Sequence, residues 1–204
     1  MGKPTKKLTK LEKLLVDARA CRVCETELPL GANPIIRAKR SARILIIGQA
    51  PGTKVHESGI PWNDPSGKRL REWMSIEDEV FYNQAKIAIM PMGFCYPGKG
   101  KSGDLPPREE CAPLWHKKVL ANLPYIKLTL LIGQYAQKYY LNNSQYYNNG
   151  TVTDTVLNWK KFGPKFFPLP HPSPRNTMWL RRNSWFEANT VPQLRKCVSN
   201  ALTS

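Results

Sequence analysis

The sequence is poor in acidic side chains: its 204 residues contain 15 Asp and Glu against 31 Lys and Arg, a net charge of +16. Such a surplus of cations indicates a polyanionic partner, most simply nucleic acid, because phosphates are contacted largely by Lys and Arg. The alternative is that the charge serves solubility alone. An anionic membrane surface fits less well, since no basic amphipathic helix with a bulky apolar face stands out.

The chain also lacks long apolar runs and internal repeats. No run approaches the roughly 18 apolar residues of a membrane-spanning helix. Residues 1–7 are basic, without an apolar core or a cleavage site, and are interpreted as a flexible tail rather than a secretory signal. We therefore predict a cytoplasmic protein with no membrane partner. Residues 8–204, in a sequence that is 41% hydrophobic, predict one domain, and we expect a monomer.

Strand and helix patterns alternate along this domain. Continuous apolar runs predict buried strands at 44–47, 87–90, 127–133 and 166–169. Apolar spacing and end signals predict helices at 8–20, 67–75, 107–120, 133–140, 151–159 and 184–202. Strands that alternate with helices form a mainly parallel sheet covered on both faces, so the predicted fold class is α/β with four strands.

The first strand leads into a turn and a polar loop that end at Gly67. The turn, Gly48-Gln-Ala-Pro-Gly52, has two glycines that let the backbone approach a ligand and a proline that stiffens it. Trp62 in the loop could stack on a nucleobase or could anchor the loop. Asp64 could orient a water molecule for attack or could cap a turn. Open α/β sheets build binding sites at this end of their strands.

A second candidate loop, His171-Pro-Ser-Pro-Arg-Asn176, directly follows the last strand. A histidine held by two prolines is a rigidly aimed imidazole that can stabilise a developing oxyanion. Arg175 and Asn176 could bind a phosphate or a base edge. The alternative is a turn in which the prolines and Ser173 only set the backbone conformation.

Four of the five cysteines form a spaced set: Cys21 and Cys24 in a C-x-x-C pattern, then Cys95, then Cys111. Two close thiolates from one segment and two from another suit a four-sulfur site for iron–sulfur or zinc. The alternative is a redox pair with two incidental cysteines, but Cys21 follows a helix and lacks the strand context of a thioredoxin motif. Cys197 fits the apolar pattern of the last helix.

Together, the two loops resemble the uracil-DNA glycosylase superfamily. Gly48–Gly52 is similar to its first motif. His171–Asn176 is similar to its second motif, which carries a histidine that contacts uracil and a loop that inserts into the minor groove. The spacing from Gly48 to Trp62 and Gly67, with the four cysteines, resembles the iron–sulfur branches, families 4 and 5. The resemblance covers about residues 20–200.

This resemblance implies a three-layer αβα sandwich that flips uracil or a related deaminated base out of DNA and hydrolyses its N-glycosidic bond in base-excision repair. It implies DNA with such a base as the partner, and a [4Fe–4S] cluster on the four cysteines; zinc or no metal is the alternative. The implied catalytic residues are His171, Asp64 and Gln49. The implied base-binding residues are Gln49, Ala50, Pro51, Gly52, Trp62 and His171. The implied DNA-binding residues are Pro172, Ser173, Pro174, Arg175 and Asn176.

Two positions depart from these relatives. Many carry an asparagine four residues before the third cysteine, where it reads the edge of uracil; this sequence has Pro91. Met90, Pro91 and Met92 are expected to make an apolar wall instead. Family 4 has a glutamate at the position of Gln49. The identity of the excised base therefore stays open. The alternative to a glycosylase is a non-catalytic DNA-binding protein of the same fold. A third hypothesis is a zinc enzyme that processes RNA or nucleotides.

Overall fold

The structure, a computed structural model, describes residues 7–101, 103–147 and 150–203. All but the last residue of the predicted tail at 1–7 lies outside the described residues. In the part of the chain that is described, no helix combines the length and the apolar character needed to cross a membrane.

Within the described residues, six strands fall into two sheets. They are β1 (Ile44–Ile47), β2 (Ile87–Ile89), β3 (Lys99–Gly100), β4 (Gly103–Asp104), β5 (Leu128–Ile132) and β6 (Phe166–Leu169). The larger sheet has the order β2-β1-β5-β6, and every neighbouring pair in it is parallel. This confirms the predicted four-stranded parallel sheet. Pro168 can lie in β6 because that strand is at the edge, where a missing N–H is tolerated. The other two strands form a short antiparallel hairpin.

Helices connect the strands and cover the sheet. They are α1 (Lys10–Arg19), α2 (Thr53–Ser58), α3 (Pro65–Met74), α4 (Asp78–Phe81), α5 (Lys117–Leu120), α6 (Gly133–Leu141), α7 (Val152–Leu157), α8 (Thr177–Arg182) and α9 (Val191–Thr203). Single 3₁₀ turns lie at Glu25–Glu27, Trp159–Phe162 and Pro174–Asn176.

Two predicted helices differ from those observed. The helix predicted at 107–120 starts later, with a π-helical turn at Ala112–His116 before α5. Pro113 lies at the start of this turn, where its missing N–H is tolerated. The predicted closing helix is likewise divided into a π-helical turn, Phe186–Thr190, and α9.

The core consists of two layers, one on each face of the sheet. Leu45 and Ile47 of β1 pack into a cluster with α1, α5 and α6. Ile44 and Ile46 pack into a second cluster with α3, α7 and α9. All four side chains are fully buried, as expected for a strand covered on both faces. The structure confirms the three-layer αβα sandwich.

The parallel arrangement brings all four carboxyl ends of the strands to one edge of the sheet. Two backbone hydrogen bonds continue the pairing of β1 and β2 past their ends: Met92 N–H donates to the Gly48 carbonyl at 2.8 Å, and Gly93 N–H to the Gln49 carbonyl at 3.0 Å. The turn after β1 is thereby held beside Pro91, and this edge carries the candidate site.

Candidate functional site

A cavity of about 630 Å³ lies at the carboxyl edge of the sheet. Each strand of the larger sheet delivers part of its lining: the turn Gly48–Gly52 after β1, Pro91 after β2, Gln134 after β5 and His171 after β6. Its size falls within the range of small-molecule pockets, about 300–1,000 Å³. The structure therefore brings the two predicted loops together around one space. Gln49, Ala50, Pro51 and Gly52 all line it.

Trp62 packs over the turn and beside the histidine. A Cβ on Gly48 would lie 2.9 Å from the Cζ2 atom of the indole, so the glycine leaves room for the ring. The ring centroids of Trp62 and His171 are 5.8 Å apart, with an interplanar angle of 32°. The indole is half-buried and lines the cavity. It therefore presents an aromatic surface there.

The backbone of Trp62 is held in place by neighbouring groups. Its φ is 59°, in the left-handed region that non-glycine residues rarely adopt. Its carbonyl accepts hydrogen bonds from Arg71 at 3.3 Å and from the Tyr82 hydroxyl at 3.4 Å. A Cβ on Gly67 would lie 1.7 Å from the same carbonyl oxygen, so that position requires glycine. Trp62 is thus both an anchor of the loop and a wall of the cavity.

Asp64 is the N-cap of α3. Its Oδ1 atom accepts a hydrogen bond from the Gly67 N–H at 2.8 Å. The capping interpretation is therefore confirmed. The same residue also lines the cavity, so a role in orienting water stays a prediction.

His171 has a defined tautomer when it is neutral. Its Nδ1 atom accepts a hydrogen bond from the Ser173 N–H at 3.2 Å, which places the ring proton on Nε2. Burial lowers the pKa of His171 below its ordinary value, and the negative charge of Asp64 opposes that shift. The Asn176 amide donates to the His171 carbonyl at 2.8 Å. At neutral pH the imidazole is a fixed, uncharged hydrogen-bond donor.

The rest of the histidine loop is internally braced. Ser173 Oγ accepts from the Arg175 N–H at 3.2 Å, within the 3₁₀ turn Pro174–Asn176. Arg69 of α3 donates to the carbonyls of Pro172 at 3.3 Å and Ser173 at 3.1 Å. Pro174 and Arg175 are exposed at the surface. The predicted DNA-binding residues therefore form one rigid loop at the rim of the cavity.

The hairpin β3–β4 supplies a carboxylate that the sequence interpretation missed. Asp104 at the end of β4 lines the cavity. Burial raises the pKa of Asp104, and the nearby charges of Arg175 and Lys99 oppose that shift. The Gln49 amide donates to the Leu105 carbonyl at 2.9 Å and so ties the hairpin to the turn after β1. The sequence carries no motif that identifies Asp104.

Gln134 was also missed, although a signal was present. The pair Gly133-Gln134 directly follows β5, as Gly48-Gln49 follows β1. Because both strands are parallel and adjacent, both glutamines lie at the same edge and both line the cavity.

The predicted apolar wall is only partly correct. Pro91 lines the cavity, together with Ile89 and Ile35. Met90 and Met92 are buried in the core cluster with α1 and α6 instead. Alternation of side chains along the extended chain sends these neighbours to the opposite face.

A buried histidine contacts the backbone of Pro91 from the side of the core. His116 is 1% exposed, and its Nε2 atom lies 3.1 Å from the Pro91 carbonyl oxygen. Since a carbonyl only accepts, Nε2 carries the proton and Nδ1 accepts from the Tyr140 hydroxyl at 2.6 Å. Burial lowers the pKa of His116 to about 4. The histidine is therefore a neutral structural link between the core and the cavity wall.

The four spaced cysteines line a second, smaller cavity, and all are free thiols. Three are buried and Cys21 is half-buried. Burial raises the pKa of both Cys95 and Cys111 to about 11, and the neighbouring thiols add to the shift. Within residues 7–101, 103–147 and 150–203, no group of three or more His, Cys, Asp or Glu side chains is arranged to hold a metal ion.

An unpaired hydrogen-bond donor lies at the same cavity. Trp115 lines it, and its buried Nε1–H has no hydrogen-bond partner within the described part of the chain. A buried donor without an acceptor is costly. Four sulfur donors and an unpaired N–H fit a sulfur-rich group, so the [4Fe–4S] cluster stays a prediction that these residues suit chemically.

Comparison with known families identifies this chain's fold and loops with a known superfamily. The family model described as the uracil DNA glycosylase superfamily matches residues 36–195. That range covers more than half of the chain and contains the whole four-stranded sheet and both loops. It includes Cys95 and Cys111 but begins after Cys21 and Cys24.

Proposed function

The chain belongs to the uracil DNA glycosylase superfamily, and we propose that it excises uracil or a related deaminated base from DNA by hydrolysing the N-glycosidic bond. The observation that carries the proposal is the pairing of His171 and Trp62 in one cavity. A neutral imidazole with its proton on Nε2 lies beside an aromatic ring over a glycine turn. This arrangement suits a planar base that gains negative charge as it leaves.

The aromatic ring supplies the binding surface for the flipped base. Enzymes that act on a base remove it from the stack and hold it by stacking and by contacts to its edge. Trp62 is held at its backbone, so its ring is positioned before the base arrives. Stacking on an aromatic ring is worth about 1–3 kcal/mol per base, which offsets part of the cost of unstacking.

His171 and the turn after β1 would stabilise the departing base. When the bond between the sugar C1′ and the base nitrogen breaks, the electron pair stays with the base and the sugar becomes an oxocarbenium-like cation. The Nε2–H of His171 donates to an oxygen of the base, where negative charge develops. Backbone N–H groups from Gln49 to Gly52 can assist, because the glycine turn lets a ligand approach them.

Water completes the hydrolysis. A water molecule adds to C1′ and gives up one proton, and the base takes up a proton from solvent. Asp64, which lines the cavity, is the residue to which we assign the orientation of that water and the acceptance of its proton. Its negative charge also favours the sugar cation.

We further propose that Cys21, Cys24, Cys95 and Cys111 hold a [4Fe–4S] cluster. The cluster would supply no step of the hydrolysis: bound there, it would join the segment after α1 to the loop after β2. That loop includes Pro91, so the cluster would help to fix the cavity wall. The protein's action as a monomer in the cytoplasm also stays a prediction.

DNA is the proposed partner, and the rigid loop Pro172–Asn176 its point of contact beside the cavity. Arg175 and the surplus of cations match a phosphate backbone. The base edge is read by groups other than Pro91, whose side chain has no hydrogen-bonding atom. Gln134, which also lines the cavity, has the amide that such reading requires.

The test is a base-release assay at low salt, on single- and double-stranded DNA containing uracil, hypoxanthine or xanthine. We expect release of at least one base, and His171→Ala should lower the rate at least about tenfold. A wild-type protein that releases none of them contradicts the enzymatic proposal. Tight, salt-sensitive DNA binding without release would select the non-catalytic alternative, which the absence of a carboxylate at Gln49 favours.

A further inference from the structure

The opposite edge of the sheet carries a row of cations. Each of the four parallel strands is immediately preceded by a basic residue. In the order of the strands across the sheet, these residues are Lys86, Arg43, Lys127 and Lys165. We call these four residues the amino-edge row.

Backbone pairing places the row's members next to one another. Arg43 N–H donates to the Lys86 carbonyl at 2.8 Å, and Lys127 N–H donates to the Arg43 carbonyl at 2.7 Å. The Lys165 carbonyl accepts from the N–H of Thr129, near the start of β5, at 2.8 Å. Neighbouring strands lie about 4.8 Å apart, so the row extends over roughly 15 Å. At the 3.4 Å per phosphate of one B-DNA strand, that length corresponds to about four nucleotides of a stacked strand.

The row is mostly exposed, and within the described part of the chain no ion pair is seen at its four residues. The three lysines are exposed and Arg43 is half-buried. The ion pairs seen at Arg22, Arg71 and Arg108 do not include Lys86, Arg43, Lys127 or Lys165. Uncompensated like charges at this spacing repel one another, so an anionic ligand that bridges them is favoured.

An exposed aromatic ring lies at the row. Tyr125 is 47% exposed. The guanidinium of Arg43 lies 5.1 Å from the centre of its ring, and that of Arg40 lies 5.9 Å from it. Basic side chains beside an exposed aromatic ring are the combination that binds single-stranded nucleic acid, in which phosphates meet cations and a base stacks on the ring.

This surface is separate from the candidate site. The cavity lies at the carboxyl ends of the same strands, and the row lies at their amino ends. A strand of four to five residues is about 15 Å long, and the loops at both ends add to this distance. A short oligonucleotide in the cavity therefore does not reach the row.

We propose that the amino-edge row and Tyr125 form a second nucleic-acid contact, which binds a single strand separately from the strand at the cavity. Such a contact would let the protein hold a second segment of DNA while a base is processed. This contact does not depend on base excision. It would account for part of the net positive charge that lies away from the cavity.

The test uses an oligothymidylate of about four nucleotides, which contains no deaminated base and is long enough to cover the row but not to follow the surface from the row to the cavity. Native mass spectrometry at low salt gives the stoichiometry, and fluorescence anisotropy gives the affinity and its salt dependence. The test variant carries Lys86→Gln, Lys127→Gln and Lys165→Gln. The matched control carries Lys13→Gln, Lys138→Gln and Lys196→Gln, three exposed lysines on helices, with the same loss of charge.

We expect wild type and the control to bind two oligonucleotides, and the test variant to bind one. At higher oligonucleotide concentration, where the test variant regains the second binding event, the salt slope of that event should be smaller than in wild type by about 2 for three lost phosphate contacts. Tyr125→Ala should weaken that event about fivefold or more, because the stacking surface is lost, without weakening binding of heparin. Equal stoichiometry and slope in test and control variants overturn the proposal. So does a Tyr125→Ala protein that binds the oligonucleotide as the wild type does, since the surface would then attract any polyanion.

A base-release assay of the test variant distinguishes failure of this proposal from failure of the proposed function. If the protein releases a base from DNA, the test variant should keep the wild-type rate at saturating substrate, since no residue of the row lines the cavity. If the protein releases no base, the loss of the second oligonucleotide in the test variant would still support the row.

Discussion

The Oδ1 atom of Asp64 lies 2.8 Å from the backbone nitrogen of Gly67 and caps α3. Gly67 can take this position because it has no Cβ, which would otherwise meet the Trp62 carbonyl at 1.7 Å. One short segment therefore fixes both the aromatic wall of the cavity and a carboxylate beside it. The capping role of Asp64 and its proposed role in catalysis can be separated by substitution.

Asp64→Asn should separate capping from catalysis. Asparagine caps a helix as well as aspartate does, so the free energy of unfolding should change little, whereas Asp64→Ala should lose about 1 kcal/mol. Both variants lack the charge that orients water and favours the sugar cation. We therefore expect base release to fall at least about tenfold in both. Urea unfolding and single-turnover kinetics measure the two effects, and an Asn variant with the wild-type rate would leave Asp64 as a cap alone.

Gly48→Ala should displace the indole of Trp62. The added Cβ would lie 2.9 Å from the ring, closer than real Cβ contacts, so the ring has to move. We expect weaker binding of DNA with a flipped base, by about tenfold, because a stacking surface is worth about 1–3 kcal/mol. The matched control is Gly150→Ala, away from the cavity, where the nearest atom is the Asp154 Cβ at 3.5 Å, an ordinary contact. Equal binding by both variants would show that the ring position does not matter.

The four-cysteine site predicts a coloured protein. Anaerobically purified wild type should be brown and contain iron and sulfide, and Cys24→Ser or Cys111→Ser should remove the colour. Cys197→Ser is the matched control, because Cys197 packs against the core cluster on the other face of the sheet and should not affect it. Absorption spectra and metal analysis provide the measurement. Colourless, iron-free wild type contradicts the cluster, and zinc without sulfide would favour a mononuclear site.

Buried His116 predicts lower stability in acid. Its pKa in the folded protein is about 4, against about 6.5 when unfolded. Below pH 6.5 the unfolded chain therefore binds a proton that the folded protein excludes, and stability falls as the pH falls. Between pH 7 and 5 the free energy of unfolding should drop by about 2 kcal/mol more in wild type than in His116→Gln. Urea titrations at both pH values test this, and identical pH dependence in the two proteins would contradict it.

Much of the fold could be predicted from the sequence, because buried strands leave a local signal. Four continuous apolar runs correspond to the four strands of the sheet, and the run Phe166–Leu169 matches β6 at both ends. Helices that bury few residues lack such a signal and were therefore not predicted. Thr53–Ser58 buries only Val55, so α2 has no apolar period to detect.

The candidate site was predictable where a residue follows a strand. Gln49 lies two residues past the end of β1, and His171 lies two residues past the end of β6. Parallel strands bring such positions to one edge of the sheet. Asp104 could not be predicted in this way, because its place depends on how the hairpin folds back over Gln49 and Arg175.

The sequence by itself determined the α/β alternation, the two loops, the spaced cysteines and the surplus of positive charge, since each is a local pattern or a sum over the chain. Only the tertiary structure decided which of these patterns meet. The strand order β2-β1-β5-β6 sets Trp62 beside His171 and aligns Lys86, Arg43, Lys127 and Lys165 at the opposite edge. Strand order depends on which distant segments pack against one another, and the choice of partner leaves no periodic pattern in the sequence.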